Sequence, residues 1–233
     1  MIKKGKFIVL DGIDGVGKAT QTELLFNRLK SLKIKVKKID FPRYYNNVFG
    51  KLIGECLAGK HGAFLELDPK ITSTLYAVDR FESKKEIETW LRNGYTVIAD
   101  RYVSSNQIHQ GGKIKNPKEM KEFLLWLDTV EHNIFGMPRP DVIIYLSLPV
   151  VLSALLLQQK SAEEKKKYLE GRKDLAENDV RHLEDSRQSA VSIIKKNNNW
   201  IKLECAKNGA ILPREVVHEM IFEKVKPYIG LKK

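Results

Sequence analysis

Residues 7–25 read FIVLDGIDGVGKATQTELL, an apolar run followed by three glycines, a lysine and a stretch of helical character. Gly12 followed by Gly17-Lys18 gives the spacing GxxxxGK. In such a loop the backbone amides, here of Gly12, Ile13, Asp14, Gly15, Val16, Gly17 and Lys18, curl around phosphate oxygens while the lysine reaches the terminal phosphates. The helix that opens near Lys18 adds its positive end. The next residue is Ala19, where a serine or threonine hydroxyl would ordinarily hold magnesium, and Thr20 points about 100° further round the helix. Mg²⁺ keeps several waters and needs only one or two carboxylates besides substrate phosphates, so the alanine does not by itself exclude the metal.

Two other stretches carry chemistry. In VIADRYVSSNQ, Asp100 ends an apolar strand-like run, the place for a carboxylate that holds magnesium beside a phosphate loop. In extended backbone Arg101 would point the opposite way, toward a substrate phosphate. The alternative is an Asp–Arg pair that only closes a strand end. In STLYAVDRFE, Tyr76 and Arg80 are four apart and share a helix face, setting an aromatic plane beside a planar donor fork. A solvated arginine paired with an acid one turn along is the bland alternative, but Ser83 and Lys84 hold those positions.

These residues need a frame, and the rest of the chain reads as α/β alternation. Strands are expected at Phe7 to Asp11, KIKVKKID, YTVIAD, PDVIIYLSL and Trp200 to Glu204. Helices are expected at Lys18 to Leu32, Val48 to Leu57, Pro117 to Val130, Val150 to Gln159, up to about Lys196, and near the end to Pro227. One longer helix is expected from the N-cap Asp68 and Pro69 to Gly94. Helix-length segments between strands imply parallel pairing, with ligands at the carboxyl ends of the strands. Lysines alternating with apolar residues in KIKVKKID suit an edge strand. The chain reads as a single domain over 1–233, and KSAEEKKKYLEGRKDLAEND breaks its apolar rhythm with charge.

Composition narrows the class. With 233 residues and 42% hydrophobic content the chain can bury a real core. No run approaches the roughly 18 apolar residues of a membrane span, and the amino terminus has no secretory apolar region, so no membrane and a cytoplasmic address are expected. Cys56 and Cys205 lack metal or disulfide spacing and read as buried free thiols. The net charge of +12 is spread among acids without interleaved aromatics, a solvated surface rather than a nucleic-acid platform.

Taken in order, FIVLDGIDGVGKATQ, DFPRY, LYAVDRFE, IADRYVSSNQIHQGG and KKKYLEGRKDLAEND resemble the thymidylate kinase family over nearly the whole chain. The resemblance implies a P-loop NTPase fold, a five-stranded parallel sheet flanked by helices with a mobile lid at about 160–177, and a homodimer. It implies transfer of the γ-phosphoryl of ATP to dTMP with Mg²⁺. Tyr76 would then stack on thymine, Arg80 would donate to its carbonyl, and Arg101 with Arg43 would grip the acceptor phosphate. Asp14 would orient the nucleotide sugar, Ser105 and Gln110 would line the thymine pocket, and Asp100 would hold the metal. The phosphate loop, with Ala19 and Thr20, would take ATP. The catalytic set would be Lys18, Asp100, Arg101 and a lid cation, Arg172 with Lys173 or Lys167. The sequence departs from the family pattern in three places: Tyr44 stands where FPxR members have arginine, Gly15 where some members carry an arginine, and Ala19 after the lysine. A deoxynucleoside kinase and a non-catalytic P-loop binding protein are the rival readings.

Overall fold

The computed structural model describes residues 4–163, 169 and 179–231. Its main sheet has the order β2-β3-β1-β4-β5, with every neighbouring pair parallel. The strands are β1 (Phe7–Asp11), β2 (Val36–Asp40), β3 (Thr96–Asp100), β4 (Val142–Ser147) and β5 (Trp200–Glu204). β1 is buried along its whole length and lies at the centre. β2 lies at the edge, as its alternating lysines predicted, and the ammonium groups of Lys35 and Lys37 sit over the rings of Tyr95 and Trp90. Register pairs Leu10 and Asp40 with Asp100 across the two sides of β3. The carboxyl ends of three adjacent strands therefore gather Asp11, Asp40 and Asp100.

The period of two along β1 sorts its side chains into two cores. Ile8 and Leu10 pack with Leu25 and Leu29 of α1 (Lys18–Ser31) and with Ile221 and Phe222. Phe7 and Val9 pack on the other face with Val97, Ala99, Tyr102, Ile108 and Ile193. A smaller cluster joins α2 (Val48–Leu57) to Phe64 and the flank of α3 (Pro69–Glu82).

The expected helix from Pro69 to Gly94 is two helices, α3 and α4 (Lys84–Arg92), broken at Ser83. The Ser83 hydroxyl is buried and accepts hydrogen bonds from Arg43 Nη1 at 3.0 Å and Asn47 Nδ2 at 3.1 Å, so tertiary partners fix the break. α5 (Val103–Gly112) was not anticipated, because its polar and glycine-rich sequence hides the helical period. α6 (Pro117–Leu127) passes into a wide π turn (Asp128–Ile134), and β4 leads to α7 (Val150–Glu163). α8 (Val180–Ile194) precedes β5, and a short hairpin, β6 (Ala206–Lys207) and β7 (Ala210–Ile211), also unanticipated, leads to α9 (Arg214–Val225).

Gly111 and Gly112 end α5 because α8 crosses it closely. A Cβ on Gly112 would lie 2.8 Å from the Asp185 carbonyl carbon and 2.9 Å from the Ser186 nitrogen. Gly112→Ala pits a helix-propensity gain of up to about 1 kcal/mol against overpacking of about 1–3 kcal/mol. Backbone cannot move aside as a flexible side chain can, so the penalty wins and thermal denaturation should show a Tm several degrees lower. A higher Tm would show that the helices do not need this contact.

Candidate active site

A cavity of about 1200 Å³ opens at the carboxyl ends of the strands and runs from the phosphate loop to α3. Gly15 and Gly17 take φ of 82° and 86°, the left-handed region that glycine tolerates. A Cβ on Gly15 would also meet the Ser153 carbonyl at 2.5 Å, so no side chain fits there. Lys18 is buried, donates from Nζ to the carbonyls of Gly12 at 3.0 Å and Ile13 at 2.8 Å, and lies 3.9 Å from the Asp14 carboxylate. Burial lowers its pKa, with Arg101 adding to the effect and Asp14 opposing it. Ala19 and Thr20 are exposed along the cavity wall.

Asp100 lines the same cavity. Desolvation pushes its pKa up to about 6, Lys18 and Arg101 pull it back, and Asp11 and Asp40 push it further up. The expected alternation past Asp100 does not occur. The strand stops there, and Arg101 takes φ 67° while its N–H donates to Leu10 O at 3.0 Å. Both side chains therefore serve one cavity. The Arg101 guanidinium pairs through Nη2 with the Asp14 carboxylate and donates through Nη1 to His109 Nε2 at 2.9 Å. Burial works against its charge, but Asp14, Asp11 and Asp100 outweigh that and raise its pKa. An arginine must donate, so His109 Nε2 accepts and its proton sits on Nδ1, directed at Ser186 Oγ at 3.2 Å. Ser186 in turn donates to the His182 carbonyl at 2.7 Å. Burial, then the Arg101 charge, keeps the imidazole pKa well below its usual value.

Asp11 was read only as a strand end, yet it knots the site. Fully buried, it accepts from Ser104 Oγ at 2.5 Å, from Ser105 Oγ at 2.9 Å, and from the Gly12 N–H at 2.9 Å. Ser105 thus lines the cavity while tied to β1.

Tyr76 and Arg80 both line the opposite end, as their helical spacing predicted. Arg80 is almost fully buried and forms a two-point pair with Glu131, Nε to Oε2 at 2.7 Å and Nη2 to Oε1 at 2.6 Å. The acid absent one turn along comes instead from the π turn, 51 residues away in sequence. Gln110 is buried at the cavity wall, and among the described residues its Oε1 has no partner. Arg43 is not brought to the cavity. Its Nη1 donates to Ser83 Oγ at 3.0 Å and Glu86 Oε2 at 2.8 Å, while Phe41, Pro42, Tyr44 and Tyr45 of the same loop form the wall. Asn106, His109, Glu131 and His182 were not singled out from the sequence, although Asn106 and His109 stand within the IADRYVSSNQIHQGG stretch. Arg172, Lys173 and Lys167 lie outside the described residues.

Among the described residues no group of three or more His, Cys, Asp or Glu is arranged to hold a metal by itself. One carboxylate beside a phosphate loop suits an ion that takes most of its ligands from substrate and water. Among the described residues no helix is long and apolar enough to cross a membrane.

Residues 10–221 match a family model described as thymidylate kinase. The chain is 26% identical over 227 residues to a thymidylate kinase of Plasmodium falciparum, spanning 97% of this chain and 94% of that protein. It is 32% identical over 164 residues to a probable thymidylate kinase of Pyrobaculum aerophilum, covering 70% of this chain and 75% of the relative. A solved structure of thymidylate kinase from Candida albicans shares the fold with a TM-score of 0.70 at 22% identity, covering 97% of this chain and 92% of that one.

The raised pKa of Asp100 carries a sign. The folded protein holds this proton up to about pH 6 whereas an unfolded aspartate releases it near 3.8, so ionising Asp100 costs stability as pH rises through that window. Asp100→Asn should therefore stabilise the ligand-free protein at pH 7.5 by about 1–2 kcal/mol once cavity solvent is allowed for, seen as a higher Tm, and change it little at pH 4. Equal Tm shifts at both pH values would refute the burial cost.

Proposed function

The chain belongs to the thymidylate kinase family, and from that premise we propose how its cavity carries out the transfer of the γ-phosphoryl group of ATP to dTMP. The observation that carries the reading is that a single cavity joins Lys18 and the glycine loop at one end to Tyr76 and Arg80 at the other, with Arg101 between them. A kinase acting on an anionic acceptor needs a cation at that midpoint.

ATP lies along residues 12–20, its phosphates on the loop amides and the start of α1. Lys18 exchanges two neutral carbonyls for phosphate oxygens, a stronger charge-assisted contact. Arg101 exchanges the Asp14 carboxylate for the dTMP phosphate, and Asp14 turns to the nucleotide sugar. Tyr76 stacks on the base, Arg80 donates to its carbonyl, and Ser105 and Gln110 complete the wall. The acceptor oxygen attacks without a strong general base, because a phosphate monoester with a second pKa near roughly 6 is already ionised at neutral pH. Asp100 would hold Mg²⁺ together with phosphate oxygens and water, and the ion would neutralise charge on the transferring group. Arg43 is committed to Ser83 and Glu86, which leaves Arg101 as the cation for the acceptor phosphate. Gly15 has no room for a side chain, so further cationic charge comes from the segment carrying Arg172.

Exposed Ile71 and Phe81 on α3, Leu125 on α6 and Ile134 in the π turn support a homodimer through that side of the molecule. Two buried free thiols, Cys56 and Cys205, support a reducing, cytoplasmic compartment. The single domain over 1–233 is supported by two core clusters that share the strands of one sheet.

A coupled ADP-release assay with a panel of nucleoside monophosphates tests the activity, and dTMP should be the preferred acceptor. Lys18→Ala should cut turnover by about a hundredfold or more while calorimetry shows dTMP affinity within about twofold of the parent. A near-normal turnover would remove the mechanism. Ala19→Ser should lower the magnesium concentration needed for half-maximal turnover, and an unchanged magnesium titration would mean that the missing hydroxyl is irrelevant.

A further inference from the structure

Gly112 lets α8 lie close enough to α5 for a side chain of one helix to orient a side chain of the other. Ser189 Oγ donates to the Gln107 carbonyl at 3.0 Å and pins the crossing, and three residues earlier Ser186 Oγ lies 3.2 Å from His109 Nδ1. The single hydrogen of Ser186 turns back to the His182 carbonyl at 2.7 Å, so toward the ring this hydroxyl can only accept. His109 Nδ1 must therefore carry the proton, and a neutral ring protonated there has a bare Nε2. That nitrogen faces Arg101 Nη1 at 2.9 Å, where a guanidinium can only donate. The constraints from the two ends agree on one tautomer. The His182 ring lies against the same imidazole, with centroids 5.4 Å apart and 26° between planes, and steadies its tilt.

We propose that His109, held by Ser186, is a positioning residue that aims Arg101 at the acceptor phosphate. Arg101 stands between two acceptors of different kind, a carboxylate on Nη2 and an imidazole nitrogen on Nη1. The Asp14 carboxylate is an anion, and a phosphate entering the cavity competes with it for the same charge. The imidazole is neutral, so it fixes one edge of the guanidinium and leaves the charge to the ligand. His109 keeps its bond while Asp14 exchanges, and the guanidinium does not follow the departing carboxylate. An arginine side chain has many rotamers, and ordering it only when phosphate arrives would cost conformational entropy that a preset direction removes. The proposal rests on the reading of Arg101 as the cation for the acceptor phosphate.

His109→Leu and His109→Gln form the paired test, since leucine fills the space without an acceptor and glutamine carries Oε1 toward the place of Nε2. Calorimetry with dTMP and with thymidine, which has the same base and sugar but no phosphate, isolates the phosphate contribution, and circular dichroism verifies folding. In His109→Leu, dTMP should bind about tenfold more weakly while thymidine stays within about twofold of the parent, so the dTMP-to-thymidine affinity ratio falls about fivefold or more. His109→Gln should recover most of that ratio, a rescue that a space-filling role would not single out. Ser186→Ala frees the tautomer and should lower the same ratio by about two- to threefold. An unchanged ratio in folded His109→Leu, equal weakening of both ligands, or a glutamine variant no better than the leucine one overturns the proposal. If His109→Leu does not fold, an unchanged ratio in Ser186→Ala overturns it. Arg101→Ala separates the premise: unchanged dTMP affinity there overturns the acceptor-phosphate reading itself, whereas weakened affinity there beside an unchanged ratio in His109→Leu overturns the role of His109 alone.

Discussion

The guanidinium of Arg101, held between the Asp14 carboxylate and the His109 ring, is the contact on which the rest of the site depends. It joins the phosphate loop after β1 to the end of β3, and through His109 and Ser186 it reaches α8. The backbone makes it possible, because β3 stops at Asp100 and the left-handed turn at Arg101 swings the side chain across the strand ends. Removing one partner of such a pair leaves a buried charge uncompensated, at a cost of about 3–5 kcal/mol. Closing all of its partners against one another without substrate therefore stabilises the fold and defines where an anion can enter.

The same constraint explains how two buried cations and one half-buried cation coexist. Lys18, Arg101 and Arg80 each have a carboxylate within reach, Asp14 for the first two and Glu131 for the third. Their partners differ in permanence. Asp14 lines the cavity and can be displaced by a phosphate, whereas Glu131 lies behind the wall and cannot. One kind of pair is open to exchange with a ligand and the other is closed to it.

Much of this was legible in the sequence, and the failures have local causes. The order of strands and helices, the edge position of β2 and the shared face of Tyr76 and Arg80 follow from periodicity, which is a property of neighbouring residues. The break at Ser83 is not, since the hydroxyl that ends the helix is held by Arg43 and Asn47 from another loop. α5 escaped because its glycines serve packing against α8, a demand visible only in three dimensions. Glu131 escaped for a related reason. A carboxylate in TVEHNI gives no hint of an arginine 51 residues earlier, and a π turn has no simple sequence period. Arg43 shows the converse case, a residue of plausible type and position whose side chain the fold holds in an ion pair with Glu86 away from the cavity.

Internal partners also bear on rate. If Lys18 and Arg101 pointed unpaired into the cavity, they would bind ground-state phosphates more tightly, and tight ground-state binding lowers KM without raising kcat. In the proposed mechanism each substrate phosphate first displaces a carbonyl or carboxylate, so part of its intrinsic binding energy would go into breaking those contacts. The displaced groups remain within a few ångströms and recapture the cations as product leaves. Binding would then be weakened at both ends of the reaction, while the charge that develops during transfer would meet cations already oriented by the fold. On that mechanism the loop carbonyls and Asp14 would limit substrate affinity and favour release, through the same bonds that hold the ligand-free site together.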